Sequence, residues 1–193
     1  MYYPLVNRDK KFVVFWNAKA GCTAVKRWYL NTIDLDYKEL NPHRFLSSHP
    51  TGGGDPKYYA NPSQINGEYK DYYKFIVCRN PWARLVSYYK NKKIQVGWKN
   101  KTWPIDTRIS NLNTENFIEG MTDVCDTLGI DKRNFENTNK NTLTVDNKPC
   151  YDMKPSEFNE DFMPSYHSFY DDPLKVLVKK KFEKDIKFFK YTF

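Results

Sequence analysis

The sequence lacks any apolar stretch long enough to cross a bilayer. Its clearest apolar run is F-V-V-F-W at 12–16, whereas a membrane-spanning helix needs about 20 apolar residues. The N-terminal stretch M-Y-Y-P-L-V-N-R-D-K-K carries charges but no apolar segment of the kind found in secretion signals. We therefore expect a soluble, cytoplasmic protein.

Cysteine, histidine and glycine are all scarce, with four, three and eight residues respectively. The cysteines, at 22, 78, 125 and 150, form no C-x-x-C pair, and no histidine stands at metal-ligand spacing from them. The sequence therefore predicts reduced thiols and no metal site, although four cysteines could also pair as disulfides. Internal repeats are absent too, which excludes repeat architectures.

Apolar residues and positive charge are both plentiful. The 193 residues are 40% hydrophobic and 17% aromatic, which predicts one globular domain over 1–193. The formal net charge of +8 attracts polyanions such as nucleic acid, a nucleotide or an acidic glycan. The same charge is also typical of a solvated, lysine-rich surface, so it does not decide the function.

Two short segments, 11–16 and 74–78, are apolar on both faces and are therefore predicted to be buried strands. A loop and a helix follow each one. The first helix is predicted over 22–33, and the second begins at Asn80-Pro81, an N-cap followed by proline at the first helical position. Two such units predict an α/β fold with a central, mostly parallel sheet flanked by helices. Ligands of such folds bind at the carboxyl ends of the strands.

Weaker patterns lie between and after these units. Residues 44–48 are predicted to form a strand that His49-Pro50 closes, and 114–121 a short helix. The region 92–165 is rich in Asn, Thr, Asp, Gly and Pro and is predicted to be mostly loops. Asp172-Pro173 starts a helix with one apolar stripe: Leu174, Leu177, Val178, Phe182, Ile186 and Phe189.

Lys19, Gly21 and Thr23 lie in the loop after the first strand. Backbone N–H groups at a helix start, a glycine, a hydroxyl and a lysine together suit an anion. An ATP-binding loop has its lysine after the glycine, in the order G-x-x-x-x-G-K-[ST]. Here the lysine comes first, so the pattern alone is equally compatible with an anion-binding loop and a plain turn.

Arg79 ends the second strand, and Ser87 lies in the helix that follows. On the helical wheel, Ser87 falls on the polar side with Asn80 and Arg84. The opposite side is the predicted buried stripe. A guanidinium and a hydroxyl in this arrangement can hold a phosphate, although a solvated surface is the simpler alternative. The predicted buried stripe on the opposite side of this helix consists of Trp82, Leu85, Val86 and Tyr89.

The two loops together resemble the sulfotransferases that use 3′-phosphoadenosine 5′-phosphosulfate (PAPS). The similar stretches are K-A-G-C-T-A-V-K-R at 19–27 and F-I-V-C-R-N-P-W-A-R-L-V-S-Y-Y-K-N-K at 75–92. They are most similar to the carbohydrate branch, which includes the chondroitin 4-O- and HNK-1-type enzymes. The C-terminal K-F-E-K-D-I-K-F-F-K-Y at 181–191 is similar to that branch's ending.

This resemblance implies a P-loop-like three-layer fold and PAPS as donor, with 3′,5′-ADP as product and no metal. It implies that Arg79 and Ser87 hold the 3′-phosphate. Lys19 would have two roles: it would help to cradle the 5′-phosphosulfate, and it would stabilise the bridging oxygen as the sulfuryl group leaves. Three departures from the family pattern are Ala18 for proline, Val25 for tryptophan and Ala24 for an aromatic residue, so the adenine contact stays unassigned. The residues implied to cradle the 5′-phosphosulfate are Lys19, Ala20, Gly21, Cys22 and Thr23.

The transfer needs a base for the acceptor hydroxyl, and His49 is the first choice because it ends the predicted strand 44–48. Its alternative role is a hydrogen bond to the glycine-rich loop that follows. His43 is the second choice, and Glu39 and Glu68 are less favoured candidates. His167, in P-S-Y-H-S-F-Y, is expected to be structural or to face the substrate.

The expected acceptor is a glycan or another hydroxyl compound, acidic ones included, and no nucleic acid is expected to bind. The region 92–165 is predicted to line the acceptor site. A Golgi-lumenal location would follow only if the chain were a trimmed domain. Two other functions stay open: a P-loop-type nucleotide or small-molecule kinase, and a non-catalytic polyanion-binding module. The acceptor contacts, or else a solvated face, would be Lys90, Lys92, Lys93, Lys99 and Lys101 with Trp98 and Trp103.

Overall fold

Short strands alternate with short helices in the computed structural model, which describes residues 3–35, 41–46, 55–90, 110–113, 117–131, 149–153 and 164–193. The strands are β1 (Leu5–Asn7), β2 (Phe12–Phe15), β3 (Tyr73–Cys78) and β4 (Ser110–Asn113). Two 3₁₀ turns cover Pro56–Tyr58 and Tyr166–Phe169. The helices are α1 (Cys22–Thr32), α2 (Pro42–Phe45), α3 (Pro62–Asn66), α4 (Pro81–Tyr89), α5 (Phe117–Leu128), α6 (Asp172–Lys181) and α7 (Glu183–Phe189).

The described strands form one mixed sheet in the order β1-β2-β3-β4. β1 pairs antiparallel with β2, while β2–β3 and β3–β4 are parallel pairs. In the β2–β3 pair, Val14 lies opposite Phe75. The two segments predicted as buried strands are therefore parallel neighbours, which confirms a mixed α/β architecture.

The chain divides into two compact units, and all four strands lie in the first, 1–78 with 108–137. Apolar clusters cover both faces of its sheet. On one face, side chains of β2 and β3 pack with α1 and α5 around Trp28 and Met121. On the other face, Val6 and Val13 pack with Ala60 and Tyr69. Both faces of β2 are thus buried, as its uninterrupted apolar sequence predicts.

Hydrogen bonds fix α1 to the first strand of the sheet. The Tyr29 hydroxyl donates to the carbonyl of Val6 at 2.6 Å. The Asn7 side chain donates to the Thr32 carbonyl at 3.2 Å and to its hydroxyl at 3.1 Å. Because these bonds are anchored on β1, they set the position of α1 along the sheet as well as its distance from it.

The second unit, 79–107 with 138–193, contains α4, α6 and α7. Trp82 of α4 is central to it. Its indole N–H donates to the Lys175 carbonyl at 3.4 Å, and its own carbonyl accepts from the Tyr170 hydroxyl at 2.9 Å. Val178 and Ile186 complete this apolar cluster. The chain was predicted to be a single domain over 1–193. The division into two compact units does not test that prediction.

Asn-Pro pairs start three of the helices. Asn41, Asn61 and Asn80 each accept backbone N–H bonds as N-caps, and proline follows at the first helical position. The strand predicted over 44–48 is therefore wrong where the structure describes it. Asn41-Pro42 starts α2 there instead, and Leu46 follows it as a bend.

The C-terminal helix is also shorter than predicted, because it breaks at Phe182 into α6 and α7. Val178 and Ile186 of its apolar stripe are buried. Leu174 and Leu177 are not, with 39% and 59% of their surface exposed. The helix predicted over 114–121 begins at Phe117 in the described residues and extends to Leu128. Within the described ranges, none of the helices combines the length and hydropathy that a membrane span requires.

Substitution of two leucines, one buried and one exposed, tests which side chains stabilise the fold. Leu30 of α1 has 0% of its surface exposed and Leu177 has 59%. We expect Leu30→Ala to lower the free energy of unfolding by about 2–5 kcal/mol, because it leaves a cavity in the core. Leu177→Ala, the matched control, should change it by less than about 0.5 kcal/mol. Urea denaturation measures both, and equal losses would contradict this assignment of the core.

Candidate functional site

The turn between β2 and α1 has a left-handed backbone at two positions. Lys19 has φ 65° and Gly21 has φ 69°. Between them, the Ala20 N–H donates to the Asn17 carbonyl at 3.2 Å and closes the turn. Glycine adopts this conformation without strain, whereas a lysine in it carries a cost of order 1 kcal/mol. Such strain recurs at ligand sites, although Lys11, Asp34 and Lys190 adopt the same conformation in other turns of this chain.

Gly21 is also the N-cap of α1. It has no side chain with which to cap the helix, and the first turn contains no acidic residue. The carbonyl of Gly21 accepts the first helical bond, from the Val25 N–H at 3.0 Å. The N–H groups of Cys22 and Thr23 therefore lie at the positive end of the helix dipole without a capping carboxylate. This arrangement suits a bound anion.

The five residues predicted to cradle an anion are contiguous at this helix start. Ala20 is buried, and its methyl group has 1% of its surface exposed. The other four are half-buried: Lys19, Gly21, Cys22 and Thr23. None of the four cysteines forms a disulfide.

His43 of α2 lies beside the same turn. Its Nε2 atom is 2.7 Å from the Thr23 hydroxyl oxygen, within hydrogen-bond distance. His43 is an exposed residue. Partial burial of its ring, and then the positive charges of Lys26, Lys19 and Arg27, lower its pKa to about 4. The imidazole is therefore neutral at pH 7 and able to accept a proton.

Lys26 lies one turn after Thr23 on α1 and is buried, with 1% of its surface exposed. Its ammonium group donates to the carbonyl of Leu46, just after α2. The same group lies 4.0 Å from the ring centroid of Trp16. Burial lowers the pKa of Lys26 to about 8, with the charge of Cys22 acting weakly in the opposite direction.

The second group of predicted residues lies in the other unit. Arg79 and Ser87 are both half-buried, Arg79 directly before α4 and Ser87 within it. Asn80 is a buried N-cap that accepts from the Trp82 N–H at 3.1 Å and donates to the Thr192 carbonyl at 2.8 Å. Its role in the R-N-P sequence is thus to start α4 and to hold the C-terminal segment.

Lys90 closes α4 and donates from its ammonium group to the Pro164 carbonyl at 2.8 Å. Desolvation lowers its pKa, and the positive charge of Arg79 acts in the same direction. Of the lysines and tryptophans predicted to contact an acceptor, this is the one within the described residues, and its ammonium group is bonded to the protein itself.

Other predicted residues have different surroundings. His49 and Glu39 lie outside the described residues, so the structure says nothing of the first-choice base. His167 stacks on Tyr166, with ring centroids 3.9 Å apart, and meets Phe193 edge-on at 5.1 Å. His167 is nevertheless exposed, so both expected roles, structural or facing the substrate, stay open. In the described parts of the chain, no three metal-ligating side chains come together.

The sequence analysis missed two features: the contact between Thr23 and His43, and the burial of Lys26. For the first, the sequence signal was the pair Asn41-Pro42, which starts a helix as Asn80-Pro81 does and so indicates the helix that carries His43. For the second there was a weaker signal, since Lys26 directly follows Val25 and stands two residues before Trp28, both of which are core residues.

A comparison with protein families gives one match. The model of the Sulfotransferase family matches residues 4–107, more than half of the chain, including the β2–α1 turn and the segment from Arg79 to Ser87. The chain belongs to the sulfotransferase family. As a member of this family it is a transferase, and its general activity is sulfuryl transfer. Searches of curated proteins and of solved structures found no match.

Membership of the sulfotransferase family indicates which kind of ligand the β2–α1 turn is expected to bind. A sulfuryl donor is an anion, and the turn presents an uncapped helix start between two lysines. The imidazole of His43, neutral at pH 7, lies at the same turn. The β2–α1 turn of this sulfotransferase is therefore its best-described candidate site.

The titration of His43 tests this description without any ligand. In the nucleotide-free protein its imidazole should titrate near pH 4, below the ordinary value of about 6.5. Because the folded pKa is the lower one, stability from this group is present above about pH 6.5 and is lost as the pH falls towards 4. NMR of the ring carbons measures the midpoint, and His43→Gln assigns the signal. Lys19→Met should raise the midpoint by removing a positive charge; a midpoint near 6.5 in the unchanged protein would contradict the site as described.

Proposed function

We propose that this sulfotransferase moves the sulfuryl group of PAPS to an acceptor hydroxyl, with a carbohydrate as the acceptor class. The observation that carries the proposal is the β2–α1 turn, where an uncapped helix start with left-handed Lys19 and Gly21 follows a buried parallel strand. The resemblance of 19–27 and 75–92 to the carbohydrate branch supports the donor and the acceptor class. We further propose that the whole chain has the P-loop-like three-layer arrangement of that family.

The residues of the turn fit a phosphosulfate group. The N–H groups at the start of α1 and the Thr23 hydroxyl are hydrogen-bond donors for its oxygens, and Gly21 allows the backbone to approach closely. Lys19 supplies a mobile positive charge. PAPS itself supplies an activated sulfuryl group whose S–O bond to the nucleotide breaks as the acceptor oxygen bonds to sulfur. Lys19 would stabilise the charge on the oxygen that stays with 3′,5′-ADP.

Arg79 and Ser87 are proposed to hold the 3′-phosphate. A guanidinium and a hydroxyl are the donor types that a phosphate dianion prefers, and a charged hydrogen bond of this kind contributes about 1.5–3 kcal/mol. Ser87 is half-buried on α4 and not part of the core, as its position on the polar side of the helix predicts.

A histidine from the segment 43–49 is proposed to take the acceptor proton. The contact between His43 Nε2 and the Thr23 hydroxyl supports His43. The negative charge of a bound donor raises the pKa of a nearby histidine. From about 4 in the free protein, the pKa of His43 would therefore move towards the neutral range, in which a general base is most effective. His49, favoured by the sequence pattern, is the alternative.

The 3′-phosphate assignment is tested with two nucleotides, 3′,5′-ADP and 5′-AMP, which differ in that phosphate alone. We expect Arg79→Ala to weaken binding of 3′,5′-ADP about 10- to 100-fold, the equivalent of one charged hydrogen bond. Binding of 5′-AMP should change less than about twofold. Calorimetry on the folded variants measures both affinities.

Ser87→Ala should give a smaller loss of the same kind, because a neutral hydroxyl contributes less than a guanidinium. Lys179→Ala, the control, removes an exposed charge of α6 and should leave both affinities unchanged. If Arg79→Ala weakened the two nucleotides equally, or neither, the assignment of the 3′-phosphate would be wrong.

The choice of base is tested by comparing His43→Gln with His49→Gln. Loss of a general base lowers the turnover number about 10²- to 10⁴-fold. We expect a loss in this range for His43→Gln, with the affinity for 3′,5′-ADP kept within about threefold, and a loss below about tenfold for His49→Gln. Sulfate transfer from labelled PAPS to a panel of glycans is the measurement. The reverse order of losses would assign the base to His49, and transfer to none of the glycans by the unchanged protein would reject the carbohydrate acceptor.

A further inference from the structure

Lys26 has no part in the proposed chemistry, yet it is among the most buried side chains of the first unit. It has 1% of its surface exposed, alongside apolar neighbours on α1 such as Trp28 and Leu30. Burial of an ammonium group is costly unless the group is well bonded. A methionine of similar length would fill the space without this cost. The role of Lys26 therefore depends on the contacts of its ammonium group.

Those contacts lead directly to α2. The ammonium group donates to the Leu46 carbonyl and lies 4.0 Å from the ring centroid of Trp16. Leu46 is the residue just after α2, and its own N–H donates to the Pro42 carbonyl at 3.0 Å. At the other end of α2, the Asn41 side chain accepts from the N–H groups of His43 at 3.0 Å and Arg44 at 3.2 Å.

His43 lies between these two attachments. α2 is only four residues long and could not hold a position by itself. Thr23 and Lys26 are three residues apart on α1, so their side chains point to the same side of that helix. Thr23 meets His43 at 2.7 Å, and Lys26 holds the carbonyl three residues further along the chain.

We propose that Lys26 is a positioning residue for His43: by holding the Leu46 carbonyl from within the core, it keeps α2 against α1 with the imidazole on the Thr23 hydroxyl. Its importance for turnover rests on the proposed function, in which His43 takes the acceptor proton. The positioning itself does not depend on that function and can be measured without donor or acceptor.

The charge of Lys26 also acts on His43. Among the described residues, the charged groups that act on the imidazole are Lys26, Lys19 and Arg27, all positive, and Arg44 is its neighbour on α2. All three lower the pKa of His43, after the larger effect of burial. Replacement of Lys26 by a neutral side chain removes one of these charges and loosens the packing of α2. Both changes raise the pKa of His43.

The test uses Lys26→Met, with Lys10→Met as the matched control, because Lys10 is an exposed lysine of the same unit. Both variants are first shown to be folded by circular dichroism. In nucleotide-free Lys26→Met, the NMR midpoint of His43 should rise by about one pH unit or more, and the nuclear Overhauser contacts between Thr23 and His43 should weaken. Lys10→Met should change neither. Turnover by Lys26→Met should fall about tenfold or more, with the affinity for 3′,5′-ADP within about threefold.

A folded Lys26→Met with an unchanged His43 midpoint and intact Thr23–His43 contacts would overturn the proposal, even if its melting temperature changed. Should Lys26→Met fail to fold, Lys26→Leu, which also removes the donor that holds the Leu46 carbonyl, is measured in the same way. An unchanged His43 midpoint with intact Thr23–His43 contacts in that variant would equally overturn the proposal. Because these measurements need no transfer reaction, absence of sulfotransferase activity would reject the proposed function and leave this result standing.

Discussion

The attachment of α1 to the sheet is the constraint on which the rest of the first unit depends. Trp28 and Tyr29 bury one face of the helix, and the bond from the Tyr29 hydroxyl to Val6 fixes it along β1. With the body of α1 fixed and β2 locked between β1 and β3, the connection between them must turn within a few residues. The left-handed backbone of Lys19 and Gly21 is the local consequence. An uncapped helix start with a strained lysine is thus held in place by core packing that has no part in the chemistry.

Positive charge is arranged in this unit so that it favours a neutral histidine and a bound anion at once. Burial has the largest effect on the pKa of His43 and lowers it, and the charges of Lys26, Lys19 and Arg27 lower it further. The charge of Lys19, at the turn itself, also attracts the negative donor that a sulfotransferase must bind. An acidic side chain in the first turn of α1 would oppose both effects, and none is present there. The total excess of lysine does not indicate a function. The positions of Lys19 and Lys26 do, because both lie near His43 and the start of α1.

The parts of the fold that were predictable from sequence are those with a strong local signal. The run 12–16 and the Asn80-Pro81 pair each specify their structure within a few residues, and both predictions are confirmed. The strand predicted over 44–48 failed because the apolar pair Phe45 and Leu46 outweighed the cap at Asn41 in that prediction. The burial of Lys26 was only weakly indicated by its neighbours Val25 and Trp28, since it depends on the Leu46 carbonyl, which lies 20 residues away in the chain. The set of site residues stays a prediction, whereas the contact between Thr23 and His43 was found only in the structure.

The contact between Thr23 and His43 has a consequence for how donor and base would work together. In the tautomer that carries its proton on Nδ1, the Nε2 atom of His43 accepts from the Thr23 hydroxyl in the free protein, and a hydroxyl has a single proton to donate. Under the proposed function a phosphosulfate oxygen competes for that proton. Once the hydroxyl donates to the anion, Nε2 is released to face the acceptor, while the new negative charge raises the pKa of His43. Donor binding would then both free and strengthen the base, so that His43 becomes an effective proton acceptor only when a sulfuryl group is in place.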